Sequence, residues 1–312
     1  MATPIPMSTL KSGAKIPCVG LGTWEAPKGE VGNGIKSAIE AGYRHFDLAA
    51  VYGNEKECGE AFAEIFKSGI VKREDLWITS KLWNSEHRPE RVLAACQKTL
   101  ADLQLTYLDL YLIHWPVAHV PKDEPEQTDS RGFTKIDHVP IAATWAAMEE
   151  LVAKGLVKHI GVSNFTVALL NDLLNSCKIQ PEVNQIEMHP YNQQWDLVEY
   201  CQRQGIHCTA YSPLVRVGTV HGLPVNVMTD PVIGKIAEKH KKTPAQIAIR
   251  WQFQRMPNIS VIPKSTKKER VIENFNVFDF ALDDEDLKEI RALDRGFRVC
   301  QPIDFFGLPV FA

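Results

Sequence analysis

The 312-residue sequence predicts a (β/α)8 barrel, and three observations carry that expectation. Short apolar runs alternate with longer amphipathic ones along the chain, and no Ser/Gly-rich linker or shift in composition divides them. The short runs are uninterrupted, as strands buried on both faces tend to be. Eight strands and eight helices then fit within roughly 250 residues, which is what such a barrel needs. A doubly wound sheet shares the alternation and is the competing architecture. The chain reads as one domain, 1–312.

The strands are expected at IPCVGLG (16–22), YRHFD (43–47), LWITSK (76–81), LDLYLIH (108–114), VKHIGVS (157–163), EVNQIE (182–187), HCTAY (207–211) and ISVIPK (259–264). Helices are expected over 29–41 and 55–68, then in RPERVLAACQKTLADL, which carries Pro in its first turn. ATWAAMEELVAKG closes on Lys-Gly, a helix stop. Further helices are expected over 167–176, 195–204, 231–255 and 267–274. Residues 116–140 and 213–230 interrupt the repeat as long Pro/Gly-rich loops after strands four and seven. Loops of that length in a compact domain usually act as lids or binding loops. The tail, about 295–312 and ending CQPIDFFGLPVFA, is apolar and aromatic without periodicity. It is expected to pack over the barrel mouth.

A formal net charge of -3 gives no general attraction to nucleic acid or to an anionic membrane. The N-terminal MATPIPMSTLKSG lacks an apolar leader core, and no run of about 18 apolar residues occurs. The seven cysteines are odd in number, scattered and without a C-x-x-C pair, which suits reduced thiols. A cytoplasmic protein is therefore expected, with no metal, nucleic-acid or membrane partner.

In a barrel the C-terminal ends of the strands share one mouth. Read in order, those ends carry Trp24, Asp47 and Tyr52, Lys81, His114, Ser163 and Asn164, Gln185 and Glu187, Tyr211 and Ser212, and Lys264 and Ser265. Ionisable groups on apolar strands are costly unless paired, so an Asp, a Tyr, a Lys and a His on three successive strands point to chemistry. A free tyrosine, with a pKa of about 10, is a poor proton donor near neutrality. Lys81 beside it is expected to lower that value, while Asp47 pairs and holds the lysine. Neutral His114 can orient a substrate oxygen. Together they make a proton donor beside a carbonyl. No side chain supplies hydride, so a nicotinamide cofactor is required.

GLGTW (20–24), FDLAAVYGNE (46–55), SKLW (80–83), LIHWP (112–116), GVSNF (161–165), NQIEMHPY (184–191), AYSPL (210–214) and IPKS...R...EN (262–274) occur in that order. Together they resemble the aldo-keto reductases, in particular the aldose and xylose reductase branch, from about residue 7 to about residue 300. The resemblance implies a TIM barrel with an N-terminal β-hairpin. It also implies a catalytic tetrad of Asp47, Tyr52, Lys81 and His114, with Tyr52 as general acid. Trp24, Trp83 and Trp115 match aromatic residues of the substrate pocket, and Phe297 and Cys300 in GFRVC match the tail that closes over it.

No usable G-x-G-x-x-G is present, since GLGTWE and GNGIKS both lack the third glycine. The resemblance implies a nucleotide extended across the barrel mouth instead. Ser163, Asn164 and Gln185 match groups that bond the carboxamide, and Tyr211 matches the ring that stacks on the nicotinamide. Thr23, Trp24, Ser212 and Leu214 complete that contact set. The basic KSTKKER (264–270) reads alone equally as a solvated helix start or a phosphate site. With the resemblance, Lys264, Ser265 and Arg270 match contacts to the adenosine 2′-phosphate, and Glu273 and Asn274 match adenine contacts. NADPH is expected over NADH.

Departures from the family pattern gather at the rim. Lys267 stands where Ser or Thr is common, adding a positive charge. VRVG follows AYSPL where Gly is usual, and Arg216 there either reaches the pyrophosphate or is solvated. Loop 116–140 lacks an aromatic pair and loop 213–230 lacks a Trp. The expected reaction is NADPH-dependent reduction of a small-molecule carbonyl, with aldehydes and open-chain aldoses first. A ketone or ketosteroid reductase and a non-catalytic NADPH-binding protein, crystallin- or channel-subunit-like, are the alternatives. Both monomers and dimers occur in the branch.

Overall fold

The fold was analysed in a computed structural model, which describes all residues except 1–4, 126, 216, 217, 221, 222 and 312. Strands β3 (Leu21–Gly22), β4 (His45–Asp47), β5 (Trp77–Leu82), β6 (Leu108–Ile113), β9 (Val157–Ser163), β10 (Val183–Glu187), β11 (His207–Tyr211) and β14 (Ile259–Val261) form one parallel sheet. They pair in chain order, and parallel bridges Val19 to Val261 and Gly22 to Lys264 join the last strand to the first. The sheet is thus closed on itself. A Cβ at Gly22 would lie 2.8 Å from the Ile262 carbonyl oxygen, so the second glycine of GLGTW is what lets this seam close.

Ahead of the barrel, β1 (Met7–Thr9) and β2 (Lys15–Pro17) form an antiparallel hairpin. The run IPCVGLG, expected as one strand, is therefore split. Its first residues belong to the hairpin and only Leu21–Gly22 form a barrel strand. After strands four and seven, the loops carry the short pairs β7 (Ala118–His119) with β8 (Ile136–Asp137) and β12 (Gly218–Val220) with β13 (Leu223–Val225). Arg88, just ahead of the helix that Pro89 opens, holds the first loop through Asp137 at 2.7 Å and through Glu124.

The outer helices are α1 (Val31–Ala41), α2 (Glu55–Ser68), α3 (Pro89–Asp102), α4 (Ile141–Ala153), α5 (Val167–Ser176), α6 (Trp195–Gln204), α7 (Pro231–His240), α8 (Pro244–Gln254), α9 (Lys268–Phe275), α10 (Asp284–Arg291) and α11 (Pro302–Phe306). Helices α1–α6, α8 and α9 lie against a core in which Phe46, Ile78, Tyr111 and Ile160 are fully buried. Helices α7 and α10 instead pack with Trp251 of α8 in a second apolar cluster around Ile233 and Ile290. The single helix expected over 231–255 is two. Lys241 ends α7 in a left-handed conformation (φ 52°), and Thr243 opens α8 with a capping box to Gln246.

Strand alternation sorts side chains by face. On β5, Lys81 turns to the barrel interior, where it meets Asp47. Its neighbour Ser80 turns outward to donate to Glu55 of α2 at 2.5 Å.

Candidate active site

Asp47 ends β4, and the chain then enters a 3-10 turn, Ala50–Tyr52, closed by Gly53 at φ 69°. Asn54 ties this turn to β3, donating to the Thr23 carbonyl at 3.0 Å, and the Thr23 hydroxyl donates to the Asp47 carbonyl at 3.0 Å. These bonds present the Tyr52 hydroxyl to Lys81, whose Nζ lies 3.3 Å away. Lys81 is fully buried. Its ammonium also donates to the Asp47 carboxylate and, at 2.8 Å, to the Leu48 carbonyl. The other Asp47 oxygen accepts from Gln185 Nε2 at 2.6 Å. His114 meets Tyr52 edge to face at 5.8 Å between ring centres, and Trp83 at 5.2 Å.

Burial decides the protonation of these groups. It pushes the Tyr52 hydroxyl well above its ordinary value, with the Asp47 charge adding to the shift. The net shift is upward rather than the lowering expected from Lys81, because desolvation first and the Asp47 charge second outweigh what the lysine contributes. Desolvation also lowers the Lys81 ammonium against the opposing pull of Asp47. His114 is driven well below its ordinary value by burial, then by Lys81. The pocket thus holds a protonated phenol beside a neutral imidazole.

A second network lines the adjoining floor. The Asn164 amide donates to the His114 carbonyl at 2.9 Å and to the Ser163 hydroxyl at 3.1 Å, and its oxygen accepts from the Tyr211 hydroxyl at 2.8 Å. Ser163 donates onward to the Gln185 carbonyl at 2.8 Å. Lys264, at the barrel seam, donates to the Glu25 carbonyl at 2.9 Å.

One cavity of about 700 Å³ joins the two networks. It is lined by Thr23, Trp24, Asp47, Tyr52, Trp83, His114, Trp115, Ser163, Asn164, Gln185, Tyr211, Ser212, Leu214, Lys264 and Cys300 among the residues expected from sequence. Lys81 lies behind this surface. Ser265 is buried with its hydroxyl accepting from the Lys267 N–H at 3.2 Å, and Lys267 and Arg270 are exposed at the start of α9. Glu273 accepts from the Thr243 hydroxyl at 2.7 Å, and Asn274 is buried. These five do not line the cavity. Phe297 does not either; it packs against the second apolar cluster, which includes Tyr191 and Ile290. Arg216 lies outside the described residues.

Sequence reasoning missed most of the outer wall. Val51, Val299, Gln301, Asp304 and Phe305 line it. Trp115 meets Phe305 at 5.6 Å and Phe306 at 5.5 Å, and Phe306 also touches Trp83 and His119. The adjacent Phe305-Phe306 pair in a non-periodic tail was the available signal.

A sequence profile described as the Aldo/keto reductase family matches residues 18–295. Aldo-keto reductase family 1 member A1 of Rattus norvegicus is 46% identical over 297 residues, 94% of this chain and 91% of the relative. Aldose reductase B of Dictyostelium discoideum is 48% identical over 302 residues, 95% and 94% of the two chains. The solved aldose reductase of Schistosoma japonicum superposes with a TM-score of 0.90 at 44% identity, covering 98% of each chain. That of Giardia lamblia gives 0.89 at 44% identity, covering 95% of this chain and 98% of its own. Among the described residues no helix is long and apolar enough to cross a membrane. The chain belongs to the aldo/keto reductase family, as an oxidoreductase that acts on small-molecule substrates with a nicotinamide cofactor.

Proposed function

We propose that this protein reduces aldehydes, open-chain aldoses included, to alcohols with NADPH, and that Tyr52 is the proton donor. The observation that carries the reading is Lys81, fully buried and bonded at once to Asp47, to the Leu48 carbonyl and to the Tyr52 hydroxyl. When bound, a nicotinamide cofactor supplies the hydride that the carbonyl carbon accepts.

The chain's own residues do the rest. His114, kept neutral by burial, hydrogen-bonds the substrate oxygen and orients it beside the Tyr52 hydroxyl. Tyr52 passes its proton to that oxygen as the carbonyl bond is reduced. The tyrosinate left behind lies beside the Lys81 ammonium, so stabilisation arrives as charge develops. Asp47 keeps the lysine charged and aimed.

The residues present fit the cofactor. Ser163, Asn164 and Gln185 offer the hydroxyl and amide groups a carboxamide needs, and Tyr211 offers an aromatic face on the same wall. Lys264, Ser265, Lys267 and Arg270 gather positive charge and a hydroxyl at the α9 start, where a 2′-phosphate would be held. Glu273 and Asn274 on α9 would meet the adenine.

The test follows NADPH oxidation by absorbance with a small aromatic aldehyde and with xylose. Turnover is expected for the wild type and near-complete loss for Tyr52→Phe. No turnover by the wild type, or full turnover by the variant, overturns the proposal.

A further inference from the structure

Glu187 ends β10 two residues beyond Gln185 and is fully buried. A carboxylate so placed is costly unless its oxygens are bonded. Its bonds reach the C-terminal tail, more than a hundred residues away. Oε1 accepts from the Val299 N–H at 2.6 Å, and Oε2 from the Cys300 N–H at 2.8 Å. His189 Nε2 lies 2.8 Å from Oε1. The Glu187 backbone adds a second tie. Its carbonyl accepts from the Gln194 side chain at 2.6 Å, and the Gln194 oxygen accepts from Arg298 at 2.7 Å.

The fork sits at the point where the tail enters the cavity wall. Val299, Cys300, Gln301, Asp304 and Phe305 all line the cavity. From there α11 lays Phe305 and Phe306 on Trp115. The two consecutive amides are met by two separate acceptor oxygens, which a carboxylate has and a side-chain amide, with a single oxygen, lacks.

We propose that Glu187 is a positioning residue, whose carboxylate pins the tail at Val299 and Cys300 and thereby sets the outer wall of the substrate pocket. It touches neither substrate nor reacting atoms in this role. Its kinetic consequence rests on the carbonyl-reductase reading, whereas the pinning does not. Gln at 187 turns an N–H₂ toward one tail N–H. Asp at 187 keeps the charge but is one methylene too short to reach both amides. Either change releases the wall, which weakens substrate capture and leaves Tyr52, Lys81 and His114 in place.

Amide hydrogen exchange at Val299 and Cys300, with steady-state kinetics on an aromatic aldehyde, tests this in wild type, Glu187→Gln, Phe305→Ala and the double variant. In Glu187→Gln, exchange at both amides is expected to quicken at least about tenfold, a loss of about 1.4 kcal/mol of protection. KM should rise about tenfold with kcat within about threefold. The double variant should have a KM close to that of Phe305→Ala alone, because both changes act through one wall. Unchanged exchange, a fall in kcat with KM constant, or additive effects would each overturn the proposal. Should Glu187→Gln not fold, Glu187→Asp carries the same measurements. If the wild type reduces no aldehyde, the carbonyl-reductase reading fails, and exchange alone decides whether Glu187 pins the tail.

Discussion

Lys81 Nζ stands 3.3 Å from the Tyr52 hydroxyl, although the two residues come from different strand ends and are 29 positions apart. The phenol is held protonated by burial, and the ammonium waits where a tyrosinate would form. Removing only the hydroxyl should therefore remove the proton donor and little else. Tyr52→Phe is expected to lower kcat for aldehyde reduction by about 10²–10⁴-fold. NADPH affinity, read by quenching of protein fluorescence, should be unchanged. A variant that keeps a tenth or more of wild-type kcat would remove Tyr52 from the chemistry.

Asp47 and Lys81 are almost fully buried, so neither charge tolerates the loss of the other. Lys81→Met leaves the Asp47 carboxylate with Gln185 as its side-chain partner. Unfolding in urea should show a loss of about 3 kcal/mol. Adding Asp47→Asn should return part of that stability without returning activity, because the lost term is an uncompensated charge. Equal stability of the single and double variants would contradict the pairing.

Side chains that strands aim inward were readable from the sequence, because a charged group on an apolar strand has few places to go. Asp47, Lys81 and His114 stood out for that reason, and the barrel follows from the same buried runs. The break at Lys241 was hidden by helical periodicity that continues across it, although Thr243-Pro244-Ala245-Gln246 carried a capping signal. Beyond Cys300 and the packing of the tail over the mouth, the outer wall was not readable, since the tail is tied by long-range bonds from Glu187 to Val299 and Cys300. Nor was the direction of the Tyr52 shift, which turns on desolvation of its hydroxyl and then on the Asp47 charge.

Glu55 offers a pH test away from the cavity. It sits in the first turn of α2, bonded to Ser80 at 2.5 Å and Thr99 at 3.1 Å, and burial raises its carboxyl to about 7. A carboxyl raised from its ordinary value of 4.5 stabilises the fold fully below pH about 4.5, and that contribution is lost as pH rises through about 7. Glu55→Gln removes the titration. Its stability relative to wild type should grow by about 2 kcal/mol between pH 5 and pH 8. Urea midpoints that differ by a constant amount at the two pH values would refute the assignment.

Arg270 is exposed in the first turn of α9. If it bonds the 2′-phosphate, its loss should fall on one cofactor only. Arg270→Ala is expected to lower kcat/KM for NADPH by about 10–100-fold, the worth of a charge-assisted bond, while NADH is unaffected. Equal losses with both cofactors would place Arg270 elsewhere in the mechanism.

Phe305 and Phe306 are neighbours with different surroundings, and that difference separates specificity from stability. Phe305 lines the cavity and is 41% exposed, whereas Phe306 is 5% exposed and packs on Trp83, Trp115 and His119. Phe305→Ala deletes wall that a bound aromatic ring would touch and that a hydroxylated sugar gains little from. It should reduce kcat/KM for an aromatic aldehyde about tenfold more than for xylose, with stability within about 1 kcal/mol of wild type. Phe306→Ala opens a cavity beneath the tail and should cost about 3 kcal/mol in urea unfolding, affecting both substrates alike. Measured side by side, the two variants assign the roles: a selectivity change from Phe306→Ala alone would mean that the buried ring, rather than the exposed one, shapes the pocket.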